Sequence, residues 1–248
     1  MSKELSLKLP VRKDGETVYQ IYLEESFDRL PEYLKDLDTA SRKAVIVTDS
    51  NVEQLYAGQL LDTIAPCFLE VSVYVIPAGE EHKNLDEIKK LYEYLILKKL
   101  DRQDILIALG GGVTGDMTGY AAATYLRGIR FVQIPTTLLA QADSSIGGKT
   151  GVDFDQYKNM IGAFHQPSMV YMNMETLKTL SDEQFACGMG EVLKHGLIRN
   201  ADYYEWTIEH MEEIADRDLS TLFHLVKESC MIKRRIVEND PEEKGERA

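Results

Sequence analysis

The sequence predicts an α/β protein in which a domain with a mostly parallel sheet is followed by an all-helical domain. Two observations lead to this prediction. Strand-like apolar runs alternate with amphipathic helical patterns over residues 17–172, which is typical of a parallel sheet covered by helices on both faces. After Thr179 no strand-like run appears, and the pattern is helical as far as Val237. We therefore expect two domains, at residues 1–178 and 179–248.

Short runs of apolar and β-branched residues predict the strands, which we place at residues 17–23, 44–48, 71–76, 105–109, 129–134 and 169–172. Apolar residues three and four positions apart predict helices between them, at residues 26–37, 51–64, 84–99 and 117–125. Asn84 is suited to cap the third of these helices. Ser181 begins a capping-box spacing, so we expect the helical region to start there.

A glycine-rich turn follows the fourth predicted strand. It reads GGGVTG over residues 110–115 and fits the spacing G-x-G-x-x-G, in which glycines let a pyrophosphate approach backbone N–H groups at the start of a helix. The usual fingerprint also has an acidic residue at the tip of the next strand, but here that strand runs into PTT at residues 135–137. Asp49, at the end of an earlier strand, is the better candidate. The sequence therefore predicts a variant nucleotide site.

Composition restricts the class of protein. A formal net charge of −13 argues against a nucleic-acid partner or an anionic membrane surface, and 44% hydrophobic residues are enough for a substantial core. The sequence shows neither a bilayer-spanning apolar run nor a secretory signal at its start. Its three cysteines, Cys67, Cys187 and Cys230, lack the spacing of a zinc ribbon or a disulfide framework. We expect a cytoplasmic protein.

Polar residues cluster in the loops that follow the predicted strands. Ligands of an open parallel sheet bind beyond the carboxyl ends of its strands, so these loops are expected to converge. Each residue alone has an ordinary structural interpretation as a helix cap, a turn residue or a solvated side chain. Their recurrence at successive strand ends favours a ligand site. The segments concerned are residues 49–51, 78–83, Asp116, 135–137, 143–145 and 147–149.

Four longer motifs resemble those of the 3-dehydroquinate synthase family: GGGVTGD, RGIRFVQIPTTLLAQADSSIGGKTGVD, KNMIGAFHQP and GMGEVLKHG. The resemblance covers almost the whole chain. It implies that NAD and a divalent metal, zinc or cobalt, bind in the cleft between a Rossmann-like domain and a helical domain. It also implies a phosphorylated sugar acid as substrate, 3-deoxy-D-arabino-heptulosonate 7-phosphate, and 3-dehydroquinate of the shikimate pathway as product.

The resemblance implies roles for residues around the substrate. A phosphate and a carboxylate at the two ends of one small molecule require cationic donors at two poles. Asp143 would lie at the reacting centre, and Arg127 would reach the phosphate from the neighbouring subunit of a homodimer. The residues of this chain that match the poles are Lys149 and Asn159 for the phosphate, and Lys194, Lys233 and Arg247 for the carboxylate.

The resemblance also implies a set of NAD contacts. Most of them lie in the loops after the strands, and the last three would complete the nicotinamide side. The set consists of Asp49, Asn51, Glu80, Lys83, Gly111, Gly112, Val113, Asp116, Thr136, Thr137 and Lys149, followed by Lys158, Thr176 and Thr179.

Glu191 matches the first metal ligand of the family, and a carboxylate is an ordinary zinc ligand. Spacing alone would add His195, four residues later on the same helical face, but a packing or hydrogen-bonding histidine is the stronger interpretation. The family's other two ligands are histidines in segments that follow a stretch resembling residues 243–248. Because this sequence stops there, we expect a truncated chain that cannot hold catalytic zinc by itself.

The mechanism implied by the resemblance is redox-neutral. NAD takes a hydride, phosphate leaves by elimination, NADH returns the hydride, and the opened ring closes by an internal aldol reaction. Three alternatives stay open: another sugar-phosphate cyclase, a glycerol-dehydrogenase-like metal-dependent alcohol dehydrogenase, and a non-catalytic nucleotide-binding module. The lysines at positions 149, 158 and 194 argue against the dehydrogenase, because a small uncharged alcohol needs no anion contacts.

Overall fold

A computed structural model describes residues 5–245. Its strands are β1 (Ser6–Lys13), β2 (Glu16–Glu24), β3 (Lys43–Asp49), β4 (Glu70–Ile76), β5 (Ile105–Gly110), β6 (Arg130–Pro135), β7 (Lys149–Phe154), β8 (Tyr157–Phe164) and β9 (Met169–Asn173). Seven of them form one sheet in the order β1-β2-β9-β6-β5-β3-β4, while β7 and β8 form a separate hairpin. Within the seven-stranded sheet β1 pairs antiparallel with β2, and the other pairings are parallel. The predicted α/β class with a mostly parallel sheet is confirmed.

The helices between the strands are α1 (Leu30–Leu34), α2 (Ser50–Val52), α3 (Gly58–Ile64), α4 (Leu85–Leu97) and α5 (Gly112–Thr124). A π-helical stretch, Glu53–Ala57, joins α2 to α3. After β9 the described chain is helical, as predicted, with α6 (Asp182–Arg199), α7 (Ala201–Glu209), α8 (Met211–Ala215) and α9 (Leu219–Asn239). The side chains of Asn84 and Ser181 cap α4 and α6, as the sequence indicates.

The structure corrects one prediction of secondary structure and adds two elements that were not predicted. The helix expected at residues 26–37 begins only at Leu30, because Pro31 fits the first turn of a helix and not its interior. Strand β1 was not predicted, since Pro10 interrupts its pattern; an edge strand tolerates a proline. The hairpin β7–β8 was not predicted either, because Gly151 and Gly162 give it little strand propensity.

The parallel strands are buried on both faces, which explains their nearly continuous apolar sequences. On one face Ile46 and Ile107 belong to a cluster that includes residues of α1 and α3. On the other face Val47 and Leu106 pack in a cluster with α4 and α5. A third cluster joins the helices after β9 to the sheet, with Leu222 of α9 sharing a core with residues of β1, β2 and β9. The helical part therefore packs directly on the side of the sheet that holds these three strands.

This arrangement brings the loops after β3, β4, β5 and β6 to the same edge of the sheet, because parallel strands end on the same side. The helical part reaches the same region through α6 and α9, both of which contact the turn Ala140–Ser144 that follows β6. No helix among residues 5–245 is long and apolar enough to cross a membrane.

Acidification is expected to weaken the helical part through His224. Trp206, the single tryptophan, contacts the rings of both His224 and His210, with centroids 4.2 and 4.5 Å away. Burial lowers the pKa of His224 below its ordinary value, so the folded state binds its proton less tightly than the unfolded state. The contribution of His224 to the free energy of unfolding is therefore fully present above about pH 6.5. It is lost as the pH falls through the lowered pKa of His224 in the folded state.

The measurement is urea unfolding followed by Trp206 fluorescence between pH 7.5 and 5. The variant His224→Gln should show a smaller decrease in the free energy of unfolding over this interval than the parent protein. Equal pH dependence of the two proteins would rule out His224 as the group responsible.

Candidate active site

The loops at this edge of the sheet form a cleft with two cavities. One of them, which we call the glycine-turn cavity, has a volume of about 640 Å³ and lies beside the start of α5. Gly111 caps α5 with an extended backbone, and Gly112 is its first residue. A Cβ at Gly111 would lie 3.1 Å from Cγ2 of Thr137, and one at Gly112 would lie 3.2 Å from Oγ of Ser144. Glycines therefore keep the backbone N–H groups of this helix start accessible to an anionic group.

Almost all residues assigned to NAD by resemblance lie around this cavity. Lys158 is outside its lining, but its Nζ is 3.2 Å from Oε1 of Glu80, which does line it. Lys149 lines the neighbouring cavity instead. The residues assigned to NAD that line the glycine-turn cavity are Asp49, Asn51, Glu80, Lys83, Gly111, Gly112, Val113, Asp116, Thr136, Thr137, Thr176 and Thr179.

Asp49 combines the structural and the functional interpretations. Its Oδ1 accepts hydrogen bonds from the backbone N–H groups of Asn51 and Val52, at 3.0 and 3.1 Å, and so caps α2. Its Oδ2 accepts a hydrogen bond of 3.2 Å from Oγ1 of Thr114 in α5. The cap holds the carboxylate beside the glycine turn, at the end of β3 rather than at the tip of β6, where the usual fingerprint has its acidic residue.

The second cavity, which we call the lysine cavity, has a volume of about 460 Å³. Asp116 and Ser144 line both cavities, so the two are adjacent. Two cationic side chains, Lys149 and Lys233, line the lysine cavity, together with Asp143 and Asn159. Lys149 and Asn159, predicted for the phosphate, thus share one space with Lys233, predicted for the carboxylate.

Asp143 is held by cationic and hydrogen-bonding neighbours. Its Oδ1 lies 2.5 Å from Nζ of Lys233 on α9 and 3.4 Å from Nε2 of His195 on α6. Burial alone would raise the pKa of Asp143, but His195 and the Lys233 ammonium outweigh burial and hold that pKa far below its ordinary value. Asp143 is therefore a fixed negative charge where three elements meet: the turn after β6, α6 and α9.

A group of possible metal ligands surrounds Asp143. One ligand atom each of Asp143, Glu191 and His195 lies within 4.8 Å of the others. An imidazole nitrogen with carboxylate oxygens is a donor set that suits zinc and related divalent cations. An ammonium group lies next to each carboxylate. Nζ of Lys194 is 3.0 Å from Oε2 of Glu191, and Lys233 pairs with Asp143. The donor set fits a divalent cation, which would compete with these two ammonium groups for the carboxylates.

His195 is buried and its Nε2 faces Asp143, which fits the packing or hydrogen-bonding role that the sequence favoured, and it also belongs to this group of possible ligands. Its exposed fraction is 6%, and its Nδ1 has no hydrogen-bond partner among the described residues. The sequence signal for this arrangement is the four-residue spacing between Glu191 and His195, which places both side chains on one face of α6.

Two described residues that were predicted for the substrate, Arg127 and Lys194, do not line the lysine cavity. Arg127 is exposed and does not line it, and it follows Leu126 in a turn where both residues have positive φ, at 69° and 51°. Arg247 lies outside the described residues. Lys194 is exposed and also absent from the lining, but it is tied to Glu191 beside the cavity.

Glu243 contacts a residue of the lysine cavity, and the sequence did not reveal this contact. Its Oε1 lies 2.5 Å from Nζ of Lys149. The lysine assigned to the phosphate is therefore paired with a carboxylate of the protein itself. The signal was weak, because Glu243 stands in an acidic run, PEEKGE, that reads as a solvated segment.

Replacing Glu243 by glutamine is expected to strengthen binding of inorganic phosphate by about threefold, because the carboxylate competes with phosphate for Lys149. The gain is small, since exposed ion pairs contribute at most about 1 kcal/mol, and 53% of the Lys149 side chain is exposed. Titration calorimetry with inorganic phosphate measures the change. Glu242→Gln is the matched control, because Glu242 pairs with Lys13 and Lys244 instead. Unchanged or weaker binding to Glu243→Gln contradicts the prediction.

Comparison with known proteins identifies the family. The family model of the 3-dehydroquinate synthase N-terminal domain matches residues 73–187, and that of its C-terminal domain matches residues 188–248. A 3-dehydroquinate synthase of Syntrophotalea carbinolica is 45% identical over 245 residues, which cover 98% of this chain and 67% of that protein. The chain belongs to the 3-dehydroquinate synthase family.

One further relative supports this assignment, and a solved structure shows a similar fold. The 3-dehydroquinate synthase of Acetivibrio thermocellus is 48% identical over 230 residues, covering 93% of this chain and 64% of that protein. The chain thus spans about two thirds of the length of these curated relatives. Among solved structures, 2-epi-5-epi-valiolone synthase from Streptomyces hygroscopicus, with NAD⁺ and Zn²⁺ bound, matches with a TM-score of 0.84 and 27% identity, covering 96% of this chain and 66% of that chain.

Proposed function

We propose that this chain is the NAD-binding and part of the substrate-binding portion of a 3-dehydroquinate synthase. The reaction converts 3-deoxy-D-arabino-heptulosonate 7-phosphate to 3-dehydroquinate and phosphate. The observation that supports it best is the lysine cavity, where Lys149 and Lys233 stand beside the glycine turn. A substrate with two anionic groups next to a dinucleotide needs such an arrangement, whereas a small uncharged alcohol does not.

The cofactors fit the two parts of the cleft. NAD would place its pyrophosphate against the start of α5 at Gly111 and Gly112, and the related valiolone synthase structure contains NAD⁺ and Zn²⁺. Glu191 would contribute a carboxylate ligand to a divalent cation, zinc or cobalt. When bound, NAD supplies a reversible hydride acceptor and the cation supplies Lewis-acid polarisation of substrate oxygens.

The chain's own residues orient and stabilise the substrate. Lys149 and Asn159 would hold the phosphate, and Lys194 and Lys233 the carboxylate, as charge-assisted hydrogen bonds fix both ends of a small molecule. Asp143 lies beside Lys233 with its negative charge fixed, so it would stabilise positive charge and orient hydroxyl groups at the reacting centre. The departing phosphate can take the proton of the neighbouring carbon itself.

The same proposal includes two domains, a cytoplasmic location and a homodimer. We infer that residues 1–178 form the NAD-binding domain and residues 179–248 the helical substrate and metal domain. Cys67, Cys187 and Cys230 are all free, which fits a reducing cytoplasm. We also infer a homodimer in which Arg127 serves the phosphate site of the second subunit.

The catalytic test follows phosphate and NADH together. The chain, and a version extended to the length of its relatives, are incubated with the heptulosonate phosphate, NAD and zinc. Phosphate release without net NADH accumulation by the extended version supports the proposal. Net NADH accumulation indicates an alcohol dehydrogenase, and NAD binding without either product indicates a non-catalytic module.

Complementation between inactive variants tests the homodimer. Arg127→Ala and Lys149→Ala would each impair the extended protein, whereas the mixture should recover about a quarter of the activity. Recovery is expected because one mixed dimer site combines an intact Arg127 with an intact Lys149, following the symmetry of a two-fold interface. A mixture no more active than the separate variants contradicts an Arg127 that acts in the other subunit.

A further inference from the structure

Lys83 is the most buried cationic side chain of the cleft, and the NAD assignment alone does not explain its contacts. Its exposed fraction is 4%. The ammonium donates hydrogen bonds of 2.7 Å to Oδ2 of Asp116 and 2.6 Å to Oδ1 of Asn159. Asp116 and Asn159 both line the lysine cavity, so Lys83 connects the loop after β4 to the space assigned to the phosphate.

A closed ring of hydrogen bonds fixes Asn159. The backbone N–H of Asp153 in β7 donates to the carbonyl oxygen of Lys83 at 2.8 Å. Oδ1 of Asp153 in turn accepts a hydrogen bond of 2.7 Å from the backbone N–H of Asn159 in β8. Asn159 has a positive φ of 56°, a conformation that asparagine tolerates better than most residues. Both its backbone and its side chain are therefore held by Lys83 and the hairpin.

The chemistry of the ammonium determines which way the amide of Asn159 faces. Lysine only donates hydrogen bonds, so the atom 2.6 Å from its Nζ has to be the amide oxygen. The amide nitrogen is then left for the other side. No acceptor for Nδ2 is found among the described residues. We propose that Lys83 is a positioning residue that makes Asn159 present an N–H donor, rather than a carbonyl oxygen, to an anion in the lysine cavity.

This proposal rests on the proposed function, because the anion is the phosphate end of the substrate. The orientation of one amide has a large effect: an N–H donor attracts phosphate, whereas a carbonyl oxygen at the same place repels it. A hydrogen bond to a charged group changes affinity by about 10-fold or more. Lys83 would thus act on phosphate affinity through Asn159, without touching the phosphate.

A double-mutant cycle with inorganic phosphate as the probe tests this link. Lys83→Met and Asn159→Ala, each in the 248-residue protein, should both weaken phosphate binding by about 10-fold. In the Asn159→Ala background the further change Lys83→Met should have little effect, because the amide it orients is gone. Calorimetric titration at a temperature where each variant is folded gives the four affinities. Additive losses overturn the proposal.

Nuclear magnetic resonance of the parent protein provides a second readout that does not depend on the folding of Lys83→Met. The side-chain ¹⁵N–¹H₂ signals of Asn159 should shift on addition of phosphate, since its protons would contact the anion. Unshifted signals in a protein that binds phosphate overturn the positioning role alone. A parent protein that binds no phosphate overturns the proposed function together with this inference.

Discussion

Replacing Gly188 by alanine is expected to lower the free energy of unfolding by about 2 kcal/mol. Gly188 lies on α6, where a Cβ would come within 2.6 Å of Cβ of Leu138 and 2.7 Å of the backbone nitrogen of Leu139. The second contact involves backbone that continues into the turn holding Asp143, so no side-chain rotation can relieve it. Overpacking in such a place outweighs the gain of about 1 kcal/mol in helix propensity.

The same helix offers a matched control. A Cβ at Gly190 meets no atom within 4 Å, so Gly190→Ala should raise the free energy of unfolding by about 0.5–1 kcal/mol. Urea denaturation of both variants measures the two changes, which should have opposite signs. If Gly188→Ala is as stable as Gly190→Ala, α6 does not pack on the segment before Asp143 as closely as the structure shows.

The position of Gly188 also connects packing to the site. Glu191 and His195 lie on the same helix, and Asp143 lies on the segment that Gly188 contacts through Leu138 and Leu139. A methyl group inserted at this contact would push α6 away from the segment that leads to Asp143. The close approach of the helix to that turn is therefore what allows the three possible metal ligands to meet.

Replacing Lys83 by methionine is expected to lower the free energy of unfolding by about 3 kcal/mol at neutral pH, because it leaves Asp116 without its ammonium partner. We take the lower end of the range for broken buried ion pairs, since 22% of the Asp116 side chain is exposed. The double variant Lys83→Met/Asp116→Asn should recover most of this loss. Lys178→Met, which removes an exposed lysine paired with the equally exposed Glu175, should leave stability unchanged.

The loss in Lys83→Met should also depend on pH. Burial raises the pKa of Asp116 above its ordinary value, and Lys83 counteracts this effect. Without Lys83, the pKa of Asp116 in the folded state rises further above its pKa in the unfolded state. A folded state that binds a proton more tightly gains stability as the pH falls, and loses it as the pH rises through the folded pKa.

The measurement is therefore urea unfolding of Lys83→Met at several pH values between 7 and 4. The difference from the parent protein should become smaller on acidification. The double variant should lack this trend, because the amide that replaces the Asp116 carboxylate does not titrate. A difference that stays constant over the whole interval would show that the lost ion pair is not the cause of the destabilisation.

The sequence by itself determined six strands of the sheet, the helices between them, the glycine turn and the family. These features depend on local patterns: buried parallel strands require continuous apolar runs, and a pyrophosphate turn requires glycines. The hairpin β7–β8 was missed because its glycines, Gly151 and Gly162, serve close contact between strands, so the segment has little strand propensity of its own.

Only the tertiary structure decided which charges meet. Glu243 and Lys149 are separated by 94 residues, and Lys83 and Asn159 by 76, so no local pattern links them. His195 had an ordinary helical context in the sequence, and its partner Asp143 reaches it from another element. Ion pairs and buried amides depend on distances of a few ångströms, and these distances are set by how α6, α9 and the hairpin pack on the sheet.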